Sequence, residues 1–114
     1  MSSPRYDWWS YAKGMIRRYP ALQREFAGRE TPEDVWTLPA TRQREFEAVR
    51  RAVAATRAEP DGEWKLELVR LVFWAQSHTL DGAALRVHVS HRTAVRWHSS
   101  FIYRVAALYG LMDG

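Results

Sequence analysis

The residues best suited to binding chemistry lie close together near the C-terminus, in the run Ser-His-Arg-Thr-Ala-Val-Arg-Trp-His-Ser from Ser90 to Ser99. Arg92 and Arg96 are four residues apart, so on a helix they share one face. Their guanidinium groups could bind phosphates or the O6 and N7 atoms of guanine, and Val95 could contact the methyl group of thymine. The spacing therefore predicts a helix that binds double-stranded DNA through this face.

We expect base edges to be contacted by residues near the N-terminus of this helix, as in a recognition helix. Phosphate contacts should supply most of the affinity, and Arg86, Arg104 and Lys65 are the candidates for them. In addition to Lys65, the predicted DNA-binding residues are Ser90, His91, Arg92, Thr93, Val95, Arg96, Ser99, Arg86 and Arg104.

The histidines are the only other residues that raise the question of a metal site, because all 4 lie in the C-terminal third. Their arrangement argues against one. His91 and His98 are too far apart along a helix to bind one ion, His88 falls in a predicted turn, and no cysteine is present. We expect no metal and no other cofactor.

Catalytic motifs are also missing from the sequence. There is no glycine-rich phosphate loop, no nucleophile elbow and no carboxylate pair of interpretable spacing. Glu63 and Glu67 share a helix face, where a solvated or salt-bridged pair is the simpler expectation. The chain is therefore not expected to be an enzyme.

Two helices joined by a tight turn are needed to position the candidate DNA-binding residues. Thr79 is a candidate N-cap for a short helix from about Leu80 to Val87, and Ser90 is the candidate N-cap of the helix that follows. The small side chains of Ala83 and Ala84 would let the two helices cross closely. The buried stripe predicted for the second helix consists of Ala94, Trp97, Phe101, Val105 and Leu108.

Helical periodicity extends over most of the remaining sequence, and no strand pattern is found. Pro20 is expected to end the first helix, with another short turn of helix from Ala21 to Ala27. Glycine and two prolines mark the stretch from Gly28 to Pro39 as a connection, held by Val35, Trp36 and Leu38. The remaining predicted helices run from about Tyr6 to Tyr19, from Thr41 or Arg42 to Ala58, and from Glu63 to Ser77.

These elements predict an all-α single domain of four to five helices over residues 1–114. An N-terminal helical part covers residues 1–58, and a helix-turn-helix part covers residues 63–110. Trp64, Phe73 and Trp74 are expected to be core or interface aromatics.

Composition narrows the setting in which the protein works. The absence of cysteine excludes disulfides and suits a reducing cytoplasm. A formal charge of +4 fits a nucleic-acid partner, although arginine-rich usage also follows from a GC-rich genome. The longest apolar stretch, 71–75, is far shorter than the roughly 18 residues that suggest a membrane span. A cytoplasmic protein that is a monomer or a small homo-oligomer, without membrane insertion, is expected.

The segment from Thr79 to Phe101 resembles the end of sigma-factor region four, in which a leucine, an alanine and a valine-serine turn precede the recognition helix. More of the chain, including the N-terminal Tyr-Ala-Lys-Gly-Met-Ile-Arg-Arg-Tyr-Pro run and the central helix, is similar to RinA and ArpU-type phage transcriptional regulators. The chain departs from the family at His88, where glycine is usual, and at Gly82, where a larger and frequently acidic residue is common.

The resemblance implies a C-terminal unit that binds promoter DNA and a protein that activates late phage genes, such as those for packaging and morphogenesis. RNA polymerase is then a candidate partner for the aromatic N-terminal half, which contains Trp8, Trp9, Tyr11 and Trp36.

Two other functions stay open at the level of the sequence. A small DNA-packaging (terminase small) subunit also combines a helix-turn-helix with an assembly region, but it forms large rings. A protein-interaction module could present the 6 tryptophans to a partner. That module would show no salt-dependent affinity for DNA.

Overall fold

The computed structural model describes residues 4–27 and 39–111, with side chains from Trp8 onward. The helices in these ranges are α1 (Pro4–Ala27), α2 (Ala40–Arg57), α3 (Gly62–Val69), α4 (Leu80–Arg86) and α5 (His91–Tyr109), and a π-helical turn (Arg70–Trp74) continues α3. The described residues contain no strand, and the predicted all-α class is confirmed. The predicted connection lies outside the described residues except for Pro39.

The prediction that Pro20 ends the first helix is wrong, because α1 continues through it to Ala27. A proline inside a helix has no N–H to donate to the carbonyl group four residues earlier, which here belongs to Ile16. The indole N–H of Trp74 donates to that carbonyl oxygen instead, at 2.7 Å. A tertiary hydrogen bond thus replaces the one that the proline removes.

The third helical segment ends at Trp74, earlier than the predicted Ser77. Its end is closed by a hydrogen bond from the N–H of Ser77 to the carbonyl oxygen of Leu71, at 3.1 Å. This closure requires Gln76 to adopt a left-handed backbone, with a φ of 50°. Glycine is the usual residue in such a position, so the sequence gives no obvious signal for this helix end.

Two clusters of buried side chains hold the helices together. The larger joins α1, α2, α3 and α5, and fully buried members of it are Met15, Ile16, Val49 and Ile102. The smaller joins the end of α3 to α4 and the start of α5, and consists of Leu68, Leu71, Ala83, Ala84, Val87 and Ala94. The second cluster places α4 and α5 together on the end of α3.

Candidate nucleic-acid interface

The α4–α5 unit, which is α4, the connection 87–90 and α5, begins each of its helices with the predicted cap. The Thr79 hydroxyl accepts a hydrogen bond from the N–H of Gly82 at 3.1 Å. The Ser90 hydroxyl accepts one from the N–H of Thr93, also at 3.1 Å. Each bond satisfies one of the amides that a helix leaves without a partner at its N-terminus. Ser90 therefore fixes where α5 begins and which side chains face outward.

Small residues lie at the contact between the two helices, as predicted. Ala83 and Ala94 are fully buried, and Ala84 is nearly so. Larger side chains there would push the helix axes apart. In the connection, His88 has a φ of 60°, a left-handed conformation in which glycine is the most common residue and histidine is tolerated. The packing of α4 against the start of α5 thus fixes how the first turns of α5 are oriented relative to α4.

The exposed face of α5 carries most of the predicted base-contacting residues. His91, Arg92, Val95 and Arg96 are exposed, whereas Thr93 and Ser99 are half-buried. From residue 91 to residue 99 the helix rises by about 12 Å. This length is comparable to the width of the DNA major groove, about 12 Å.

The arginines of this face have no internal partner. Within the described residues, Arg92 and Arg96 form no hydrogen bond or ion pair with any protein group, and α5 itself contains no acidic residue. His91 differs, because its Nδ1 lies against the carboxylate of Asp81 on α4. Positive charge in the first turn of a helix opposes the helix dipole and so is unfavourable for the isolated fold.

Two of the residues predicted to bind phosphates form hydrogen bonds within the protein. Arg104 donates to Glu59 at 2.6 Å and to the hydroxyl of Thr56 at 2.9 Å, and Lys65 donates to the other oxygen of Glu59 at 3.1 Å. These hydrogen bonds, that from Arg104 foremost, lower the pKa of Glu59 to about 2. Through Glu59, these two cations connect the turn between α2 and α3 to α3 and to α5.

Arg86, the third predicted phosphate contact, is exposed on α4 and forms no hydrogen bond or ion pair within the described part of the chain. The pKa of Glu67 is lowered chiefly by its hydrogen bonds from Arg70, with a smaller contribution from the charge of Arg86. Arg86 therefore resembles the arginines of α5 in having an available guanidinium group.

A groove of about 730 Å³ lies between the α2–α3 turn and α5, directly beside Arg96. Trp64, half of whose surface is exposed, and Trp97 contribute aromatic surface to it, and Lys65 lies 6.0 Å from the centre of the Trp97 ring. The groove brings Arg96 and Thr93 together with the turn residue His88. Trp64 is thus a surface aromatic in this chain, whereas Phe73 is buried.

Sequence reasoning did not identify the cations of α1 that flank α5. The ring of His98 stacks on that of Phe73, with 5.2 Å between centroids. Burial lowers the pKa of His98, and the nearby charges of Lys13 and Arg17 lower it further. Periodicity could place these two cations on a helix face, but only the packing of α1 against α5 brings them to the α5 surface.

The described residues offer neither a metal-binding cluster nor a membrane-spanning helix. They contain no group of three or more His, Cys, Asp or Glu side chains arranged to hold a metal ion. None of the described helices combines the length and the apolar character that a membrane span needs.

Comparison of the chain with protein-family models, with curated protein sequences and with solved structures finds no significant match.

Proposed function

We propose that the α4–α5 unit is a helix-turn-helix that binds double-stranded DNA, with α5 as the recognition helix. The observation that carries the proposal is the pair of exposed arginines, Arg92 and Arg96, which have no partner among the described residues and lie at the N-terminal end of α5. Arg92 lies in the first turn, where the helix dipole does not favour a cation. Phosphates and guanine edges are the partners that would compensate them.

The capping and packing of α5 support the proposal. Because Ser90 fixes the first turn, Arg92, Val95 and Arg96 project from a rigid helix rather than a loop. Rigid presentation favours bidentate contacts, which require fixed geometry. Thr93 contributes differently, since its hydroxyl accepts a hydrogen bond from that of Ser90 at 3.1 Å and so takes part in the cap.

The positive charge around the unit would suit either DNA or an acidic protein surface. The shape of α5 is what favours DNA. An α-helix with its side chains is about 10–12 Å across, so the exposed N-terminal part of α5 fits the major groove, which is about 12 Å wide. Arg86 on α4 would bind a phosphate beside that groove, because the first helix of such a unit crosses the DNA backbone. Arg104 and Lys65 would hold the α2–α3 turn against the unit through Glu59.

The biological role in this proposal is transcriptional regulation. It rests on the resemblance of the sequence to RinA and ArpU-type phage regulators and to sigma-factor region four, which points to an activator of late phage genes. RNA polymerase is the proposed protein partner. We place the protein in the cytoplasm as a monomer or small homo-oligomer.

The proposal is tested by titrating the purified protein into labelled duplexes, one from the region upstream of its own gene and one random, across a range of salt concentration. We expect binding that weakens as salt rises and that favours the upstream duplex. Arg96→Ala should reduce the discrimination between the two duplexes by about 1–3 kcal/mol. Arg51→Ala, which removes an exposed arginine from α2, is the matched control.

Equal losses on both duplexes would assign Arg96 to a phosphate. Weak, salt-independent binding to both would reject DNA binding and favour the protein-interaction module. A large ring in solution, measured by light scattering, would favour a DNA-packaging subunit over a regulator.

A further inference from the structure

The side of α1 that faces α5 is as free of acidic residues as α5 itself. Residues 8–24 and 91–109 contain no aspartate or glutamate. Lys13 and Arg17 are four residues apart, so both lie on one face of α1. Neither forms a hydrogen bond or ion pair with any other described residue, whereas the next residue, Arg18, pairs with Glu45 at 3.0 Å.

Packing holds this face of α1 beside the exposed surface of α5. The guanidinium carbon of Arg17 lies 5.9 Å from the centre of the Phe73 ring, and the ring of His98 of α5 stacks on the same Phe73 ring. Nearer the N-terminus of α1, the ring of Trp9 contacts that of Tyr103 of α5, with 5.4 Å between the ring centroids. His98 follows Val95 by one helical turn, so the α1 cations border the proposed DNA-contacting face.

Positive groups gathered in this way repel one another in the free protein. The charges of Lys13 and Arg17 disfavour the protonated form of His98 and add to the lowering of its pKa by burial. No carboxylate within residues 8–24 of α1 or within α5 offsets this repulsion. An anionic partner lying across both helices would remove the repulsion, and a DNA strand is such a partner.

We infer that Lys13 and Arg17 of α1 bind the phosphate backbone of the same DNA duplex that α5 contacts. The interface would then include both of these helices, α1 and α5. This inference rests on the proposed function. It adds that the N-terminal half, rather than serving only a protein partner, supplies affinity that does not depend on base sequence.

The test compares the double variant Lys13→Gln/Arg17→Gln with the wild type on the upstream and random duplexes, by fluorescence anisotropy across salt. Removing two phosphate contacts should weaken binding to both duplexes by the same factor. The slope of log K against log salt should fall by about 1.8. Between 50 and 200 mM salt the variant would then lose affinity about ten-fold less than the wild type does.

Two controls separate charge from structure. Lys13→Arg/Arg17→Lys keeps both positive charges and should retain the wild-type slope. Arg51→Gln removes one positive charge from α2, beside Leu108 near the far end of α5, and should also retain it. Circular dichroism and the urea midpoint verify that every variant is folded.

The outcomes distinguish this inference from the proposal on which it rests. If Lys13→Gln/Arg17→Gln binds as the wild type does while Arg92→Gln loses affinity, the role of α1 is overturned and DNA binding by α5 stands. An unchanged slope with reduced affinity would also overturn it, because a phosphate contact must change the slope. Absence of salt-dependent binding in the wild type would overturn both.

Discussion

Basic residues occupy two regions of this protein, and the regions differ in what lies opposite each positive charge. Around α2 and α3, most cations face carboxylates, although Arg44 and Arg51 of α2 do not within the described part of the chain. The ion pairs are Arg18 with Glu45, Arg42 with Glu25, Arg50 with Glu47, Arg57 with Glu63, Arg70 with Glu67, and both Lys65 and Arg104 with Glu59. On the adjoining faces of α1 and α5, Lys13, Arg17, Arg92 and Arg96 have no carboxylate partner among the described residues.

The difference separates charge that serves the fold from charge that is available to a partner. A cation that already donates to a carboxylate would have to give up that bond to reach DNA. A cation without a partner adds little or nothing to folding, and beside like charges or at a helix N-terminus it is unfavourable. Substitutions in the first region should therefore change stability, and those in the second should change binding.

The largest effect on stability is expected where a buried polar group would lose its partner. Trp74→Phe removes the N–H that donates to the Ile16 carbonyl oxygen, and should lower the free energy of unfolding by about 1–3 kcal/mol in urea titrations. With Pro20→Ala in the background the loss should shrink, because an N–H at position 20 can donate to the same oxygen. An equal loss in both backgrounds would contradict this explanation.

A smaller effect is expected at the ion pair between α1 and α2. Among the described residues, Arg18→Met leaves the nearly buried Glu45 carboxylate with the hydroxyl of Tyr11, which donates to it at 2.7 Å. We expect a loss of about 1–2 kcal/mol, limited by the exposure of Arg18 to water. Arg96→Met, the matched change in the other region, should stay within about 0.5 kcal/mol of the wild type. Similar losses for the two variants would remove the distinction between the regions.

Acid should reduce the stability that the ion pairs of Glu59, in the first region, contribute over a defined range of pH. The pKa of Glu59 falls from its ordinary value of 4.5 to about 2 in the folded protein. A depressed carboxyl pKa stabilises the fold above 4.5, and this contribution is lost as the pH falls toward 2. Glu59→Gln should therefore flatten the dependence of stability on pH in this range. The flattening should amount to less than about 1 kcal/mol, since the pair is partly exposed. Arg92→Gln should leave the dependence unchanged.

The smallest stability effects should have opposite signs in the two regions. Arg92→Glu places a negative charge in the first turn of α5, where the helix dipole favours it, and should raise the free energy of unfolding by about 0.3–1 kcal/mol. Arg57→Glu makes the same change in the last turn of α2, beside Glu63, and should lower it by a similar amount. Thermal unfolding at low salt measures both, and a loss of stability in Arg92→Glu would show that Arg92 serves the fold.

The local features of the α4–α5 unit could be predicted from the sequence because each depends on a few neighbouring residues. Thr79 and Ser90 are caps whose bonds reach three residues along the chain. His88 stands where a left-handed turn residue is needed, and the exposure of Arg92 and Arg96 follows from the period of the helix. Local chemistry therefore predicted the residues that face outward.

The features that were misjudged or missed depend on partners far apart in sequence. Pro20 looked like a helix end because its compensating donor, Trp74, is 58 residues from the carbonyl group it satisfies. The double role of Glu59 required Arg104, 45 residues away, to pack against the α2–α3 turn. In the same way, the sequence of α1 does not show that Lys13 lies beside α5. These relations are set by helix packing, which periodicity alone does not determine.

The hydrogen bond from Trp74 to the carbonyl oxygen of Ile16 also has a consequence for the order of folding. A helix interrupted by proline cannot complete its own backbone bonding, so the part of α1 around Pro20 is not expected to be stable before the π-helical turn has docked. This closure over a long sequence separation is entropically unfavourable until the core forms around it. We therefore expect α1 to consolidate late, and Trp74→Phe to accelerate unfolding more than it slows folding.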